Sequence, residues 1–134
     1  MRFIAIFLLT LCGAASAGAF VPPQQAFGVS LLELAPGEYM LRANVLPGYA
    51  LYRDKFKIAA GGATTVRYSL PRGHEKHDPF FGKTILLTGS NDVPVRVESA
   101  KPGEVSVLDV QYIGCKIDEF CYPPQTLQFQ VQAQ

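Results

Sequence analysis

No heptad, tandem repeat or low-complexity tract runs through the 134 residues, and no segment sustains a helical period. Coiled-coil and solenoid readings therefore have nothing to rest on. An excess of charge of one sign is missing too. Beyond Arg2 the chain carries eleven Lys and Arg against eleven Asp and Glu, with no basic run. A neutral chain of this kind offers no electrostatic footprint to nucleic acid or to an anionic lipid surface. The strong apolar block at residues 3–11 has nine residues, interrupted only by Thr10, and is short for a membrane span.

That block has another meaning. Met1-Arg2 precedes it, and Ala15-Ser16-Ala17 follows with small residues where a signal peptidase reads. The three parts predict a secretory signal peptide over residues 1–17, cleaved after Ala17, with a second frame ending at Ala19. Leu11 before Cys12 is not the small residue that a lipoprotein signal needs. The expected mature domain is 18–134, long enough for one core and too short for two. It keeps two of the three cysteines, Cys115 and Cys121, in an oxidising compartment where a pair forms a disulfide at least part of the time.

Alternation dominates the remaining sequence. Val93, Val95 and Val97 alternate with Pro94, Arg96 and Glu98, and Leu127, Phe129 and Val131 with glutamines. Tyr52, Phe56 and Ile58 share a parity opposite Arg53, Lys55 and Lys57. Period two over such lengths predicts half-buried strands. Strands are expected near 27–34, 39–46, 51–59, 64–70, 84–88, 93–98, 104–113 and 127–131, separated by Pro-Gly, Gly-Gly and Gly-Ser-Asn-Asp turns. Seven or eight short strands in about 115 residues predict an all-β, immunoglobulin-like β-sandwich. Pro94 predicts that its strand lies at an edge or is bulged. Residues 71–82, polar and then aromatic, read as a long surface loop, and 114–124 as a cysteine-bearing connection between the last two strands.

Cys115 and Cys121 enclose five residues, and a hairpin end would bring their Cα atoms to the roughly 5.5–6 Å a disulfide prefers. The spacing is not C-x-x-C, and no helix N-terminus is at hand to activate a thiol. As a staple, a loop of about seven residues is worth roughly 2.4 kcal/mol, but it joins strands that are already neighbours. Spacing alone leaves a structural and a redox-active pair equally open. Asp118 and Glu119 outnumber Lys116 between the cysteines, leaving that loop net negative. His74 and His77 have no further ligands at recognisable spacing, so they read as solvated positions and no metal site is expected.

The residues around the pair carry a resemblance. Tyr112-Ile113-Gly114-Cys115 and Phe120-Cys121-Tyr122-Pro123-Pro124 resemble the signature of the amino-terminal periplasmic domain of the thiol:disulfide interchange protein DsbD. Gly48-Tyr49-Ala50-Leu51-Tyr52-Arg53 is similar to that domain's tyrosine motif, and His77-Asp78-Pro79-Phe80-Phe81-Gly82-Lys83 to its cap loop. The resemblance implies a periplasmic, immunoglobulin-like redox carrier without a cofactor, a protein-disulfide reductase component. It would take electrons from a thioredoxin-like donor fed by the membrane and pass them to periplasmic oxidoreductases, in cytochrome c maturation and disulfide isomerisation. Cys121 would form mixed disulfides and Cys115 resolve them. Phe80 would lie over the disulfide, with Asp78, Phe81 and Gly82 in the cap loop, and Tyr49, Tyr52 and Tyr122 lining the site. Family members often carry an acid where Pro79 stands, so help from that carboxylate is not expected here. The family domain is also normally joined to membrane helices and a second thioredoxin-like domain. A monomer meeting a separately encoded membrane thiol reductase, or else a truncated or repurposed copy, is therefore expected, with neither nucleic acid nor metal as partner. The competing reading is a non-catalytic, partner-binding or adhesion-type sandwich with a structural disulfide.

Overall fold

The computed structural model describes residues 20–134, so the expected signal peptide lies outside the described residues. A one-turn helix, α1 (Pro23–Phe27), opens the domain with proline in its first turn, where no N–H is needed. It stops at Gly28, whose left-handed conformation lets its N–H reach Gln24 O at 3.1 Å. The strands follow: β1 (Val29–Ala35), β2 (Glu38–Asn44), β3 (Tyr49–Tyr52), β4 (Lys57–Ala60), β5 (Thr64–Tyr68), β6 (His74–Asp78), β7 (Gly82–Leu87), β8 (Ser90–Ser99), β9 (Val105–Tyr112), β10 (Gly114–Lys116), β11 (Phe120–Cys121) and β12 (Gln125–Gln132). They form three antiparallel sheets, ordered β1-β2-β8-β5, β12-β9-β4 and β11-β10-β3-β7-β6. The fold is the expected all-β, immunoglobulin-like sandwich.

Alternation builds the core. Tyr39, Leu41 and Ala43 of β2 and Val93, Val95 and Val97 of β8 are buried with Leu108, Val110 and Tyr112 of β9 and Val131 of β12. Burying a side chain of this size contributes about 1.5–3 kcal/mol, which is why period-two valines hold their register. The turn after β1 needs its glycine. Gly37 has φ 74°, and a Cβ there would stand 2.8 Å from Val97 O, the neighbour of the very N–H that bonds Gly37 O at 2.8 Å.

Four sequence expectations change. Residues 51–59 are not one strand: a 3₁₀ turn at Arg53–Lys55 breaks them, sending β3 and β4 to different sheets. Tyr52 consequently leaves the main core, while Phe56 and Ile58 stay in it. Residues 71–82 are not simply a loop, since β6 pairs with β7 from His74↔Leu86 to Asp78↔Gly82. Their polar composition reflects an edge strand, which can stay wet on its open side. The cysteine connection likewise holds β10 and β11; with β6 and the division of 51–59 into two strands, these raise the expected seven or eight strands to twelve. Finally, the strand of Pro94 is interior: β8 lies between β2 and β5, and its register runs unbroken through Met40↔Pro94. The ladder to β5 begins only at Val95↔Tyr68, so on that side Pro94 faces no strand to which an N–H is owed.

Candidate functional site

The five-stranded sheet assembles the site. Cys115 on β10 and Cys121 on β11 stand directly opposite each other and form a disulfide with a Cα separation of 3.9 Å. That is closer than the spacing expected from sequence. Tyr122 N–H bonds Gly114 O at 2.9 Å on the adjacent rung, which makes the cysteines a non-hydrogen-bonded pair, the position where antiparallel Cα atoms approach most closely. The other edge of Cys115's strand pairs with β3, bringing Ala50 opposite Cys115. Ala50, Tyr52 and Leu86 form a small buried cluster with Cys115, edged by Ile113 and Ile117. The two sulfurs differ in access: Cys115 is 2% exposed, whereas Cys121 is half-buried at the sheet edge.

Period two along β3 sorts the tyrosines. Tyr52 faces the disulfide, its hydroxyl oxygen 3.8 Å from Cys121 Sγ. Tyr49, three residues earlier, points the opposite way into the main core, edge-on to Phe27. Tyr122 also lies in the main core, edge-on to Phe27 at 5.5 Å, and donates its hydroxyl to Val21 O at 2.6 Å. Of the three tyrosines expected to line the site, Tyr52 meets a sulfur through its hydroxyl, while Tyr49 and Tyr122 pack in the main core. Gly114 has to be glycine here, because a Cβ on it would enter the Phe27 ring.

Asp78 ends β6 on the same face. It is buried, accepts the Tyr52 hydroxyl in a short hydrogen bond on Oδ2, and accepts the N–H groups of Phe80 (3.1 Å) and Phe81 (2.7 Å) on Oδ1. Burial pushes the carboxyl upward, but the Tyr52 hydrogen bond, the Phe81 and Phe80 amides and the Lys76 charge outweigh it and hold Asp78 below the ordinary carboxylate range. The Tyr52 hydroxyl moves the other way, raised well above its usual value by burial, by its bond to Asp78 and by the Asp78 and Asp118 charges. At neutral pH the pair is therefore a phenol and a carboxylate, with the phenol's one proton engaged by the acid and its oxygen beside the sulfur.

The Asp78 bonds shape the cap turn. Phe80 and Phe81 are both exposed by about two-fifths at its tip, at 43% and 44%, and Gly82 follows with φ 70°. Phe81, rather than Phe80, sets its ring edge-on to Tyr52 at 4.7 Å, with Lys55 Nζ 5.5 Å from its centroid on β3's flank. His74 and His77 are exposed on β6. Sequence reasoning missed Lys76, whose ammonium reaches Asp118 Oδ2 at 2.9 Å, while Lys116 pairs with Glu119 at 2.9 Å. The inter-cysteine acids are therefore each matched by a lysine. Lys76 gave no signal in a segment read as loop, and only the β6 register aims it at the cysteine turn.

The chain matches the family described as "Thiol:disulfide interchange protein DsbD, N-terminal" over residues 17–133. It belongs to that family. Among relatives it is 38% identical over 117 residues to the thiol:disulfide interchange protein DsbD of Cronobacter sakazakii, covering 87% of this chain and 20% of that protein. With the DsbD of Klebsiella pneumoniae it shares 35% over 133 residues, 93% of this chain and 22% of that one. The chain thus spans about a fifth of the length of these relatives. Its fold is similar to the Neisseria meningitidis DsbD N-terminal domain in the reduced form, with TM-score 0.71, 29% identity and coverage of 84% of this chain and 90% of that one. The complex between the DsbD N-terminal and PilB N-terminal domains of the same organism also aligns, with TM-score 0.66, 28% identity and coverage of 82% and 85%.

Proposed function

We propose that this domain is a periplasmic thiol–disulfide exchange carrier. A thioredoxin-like donor linked to the membrane reduces it, and it in turn reduces periplasmic oxidoreductases. The observation that carries this reading is the unequal access of the two sulfurs: Cys115 is buried and Cys121 only half-buried at the rim of a sheet. A donor thiolate attacks Cys121 Sγ, Cys115 leaves as thiolate and takes up a proton, and the donor's second thiolate displaces Cys121, leaving the donor oxidised and two thiols here. In the forward direction Cys121 attacks an acceptor disulfide, and Cys115 resolves the mixed disulfide, so two electrons and two protons pass on. Phe80, Phe81 and Gly82 act as the movable cover, held by Asp78. The complex between the Neisseria DsbD and PilB N-terminal domains gives a precedent for docking of such a domain to a partner.

The test is trapping. Cys115→Ser should accumulate a covalent mixed disulfide with a thioredoxin-like partner, whereas Cys121→Ser should not. Equal trapping by both variants removes the assignment of roles, and trapping by neither returns the pair to a structural staple. The reduction potential reads the same question independently, since a working disulfide lies well above about −300 mV and a structural one below it.

A further inference from the structure

β6 and β11 are the two opposite edges of the five-stranded sheet, yet side chains from their hairpins meet. Lys76 on β6 donates to Asp118 Oδ2 at 2.9 Å, in the turn that joins β10 to β11. Period two puts Lys76 and Asp78 on one face of β6, the face on which Asp78 receives the Tyr52 hydroxyl. The sheet therefore curls so that this face is concave, and its two edges are tied across the disulfide. The charges of this network overlap: Lys76 acts on Asp78, and Asp118 on Tyr52. Asp118 is also singular in backbone. Its φ of 62° makes it the one non-glycine residue with positive φ among the described residues, a conformation that Asp and Asn tolerate and most residues do not. The turn is otherwise self-sufficient, closed by Glu119 N–H to Lys116 O at 3.0 Å and by the Lys116–Glu119 ion pair. The Lys76–Asp118 bond is thus not needed to make the turn. What it does is join the turn to the strand that carries the cap.

We propose that the Lys76–Asp118 ion pair is a latch between the cap hairpin (β6–β7) and the cysteine hairpin (β10–β11), and that it sets how readily Cys121 is reached. The idea rests on the exchange function above for its use, though not for its measurement. Lys76 leads directly to Asp78, which holds Phe80 and Phe81 by their amides, so movement of the covering tip is coupled to the cysteine turn through this bond. The pair is partly exposed, with Lys76 at 27% and Asp118 at 58%. Such pairs are weak, screened by salt and readily exchanged, as a cover that must open at every turnover requires.

The experiment follows reduction of the oxidised protein by dithiothreitol, at low and high salt, in Lys76→Met, Asp118→Asn and the double variant. The dithiothreitol thiolate attacks Cys121 Sγ and Cys115 leaves; the reagent's second thiol then closes its ring, freeing Cys121. Asn at 118 keeps the left-handed backbone while removing the charge. Because the attacking thiolate is an anion, plain electrostatics would slow Lys76→Met and speed Asp118→Asn. A latch requires both to be faster, by about 1.5- to fivefold, the range open to an exposed ion pair. The double variant should be no faster than the faster single one, and the unsubstituted protein should accelerate with salt while the variants do not. Opposite signs in the two single variants, or no acceleration of the unsubstituted protein in salt, overturns the latch. The salt titration needs no substitution, so it stands even where a variant folds poorly. Absence of a trapped mixed disulfide in Cys115→Ser would instead remove the exchange function while leaving these rates interpretable.

Discussion

Strand β3 has two faces, and they belong to different kinds of structure. Tyr49 and Leu51 enter the main core, where Phe27 is fully buried and meets Tyr49, Tyr112 and Tyr122 edge-on at 5.5–6.1 Å. Ala50 and Tyr52 enter the disulfide cluster, which is small, polar at its centre and flanked by the half-exposed Phe81 ring. One face is close-packed and apolar, with the favoured aromatic geometry, so every side chain on it is expensive to remove. The other is held mainly by hydrogen bonds converging on one carboxylate. On the proposed exchange function the site is uncovered for a partner, and it then has to be built from contacts that open below the global unfolding free energy. Placing both on a single four-residue strand lets the rigid face hold the labile one in register.

The largest expected effect tests the rigid face. Phe27→Ala should cost about 3–5 kcal/mol in urea unfolding of the oxidised protein, because the ring is buried among three others and Gly114 is shaped to it. Gly114→Ala should also destabilise, by driving a methyl into that ring. A cost under about 1 kcal/mol for Phe27→Ala would mean that the two faces are not energetically distinct. The next effect tests the polar centre. Asp78→Ala leaves the Tyr52 hydroxyl and two amides without their acceptor and should cost about 1–3 kcal/mol. Tyr52→Phe, which leaves the amide bonds in place, should cost less. Equal costs would show that the Asp78–Tyr52 bond, rather than the turn it caps, carries the stability.

Much of this was legible from residues alone, and the limits are physical. The valine and phenylalanine alternation predicts the sandwich, because burial of one face fixes register over five residues or more. Edge strands give no such signal: β6 is His-Glu-Lys-His-Asp, and its pairing comes from β7 and from Asp78. Pro94 misled because a proline's place in a sheet depends on where the neighbouring ladder ends, which no local pattern encodes. At the site, the cysteines, Asp78 and Tyr52 come from the motifs. Tyr49 and Tyr122 share those motifs but serve the core, since a motif does not say which face a residue takes. Lys76 needed three-dimensional register to be seen at all.

The exposed rings at the cap tip should be nearly free of stability cost. Phe80 is 43% exposed, so Phe80→Ala should shift the unfolding midpoint by no more than an ordinary surface substitution, about 0.5 kcal/mol. It should nonetheless speed reaction of the reduced pair with a small alkylating reagent. Unfolding and alkylation measured on the same preparation separate a cover from a core residue. A large loss of stability with unchanged shielding would remove the cover.

The smallest effect compares two carboxylates that are both held below their ordinary range. Asp92, exposed on β8, is lowered chiefly by the hydrogen bond of Arg42, 2.7 Å away, and less by its charge, against an opposing effect of burial. Asp78, inside the site, is pushed up by burial and pulled down further by Tyr52, the two amides and Lys76. In each case the folded pKa lies below the unfolded value of about 3.9, so the stabilisation is complete above that pH and is lost as pH falls through the folded pKa. Both should therefore steepen the acid side of a stability–pH curve, below about pH 4. Salt should tell them apart. At about 1 M the screening length is near 3 Å, so the Arg42–Asp92 contribution, between half-exposed side chains open to salt and water, should weaken. The Asp78 contribution rests on hydrogen bonds inside the domain and should persist. Asp92→Asn should thus flatten the acid limb less at high salt than at low, and Asp78→Asn equally at both. If high salt erases the two effects alike, Asp78 is held by long-range charge, and the disulfide face is no more enclosed than the outer surface of the sandwich.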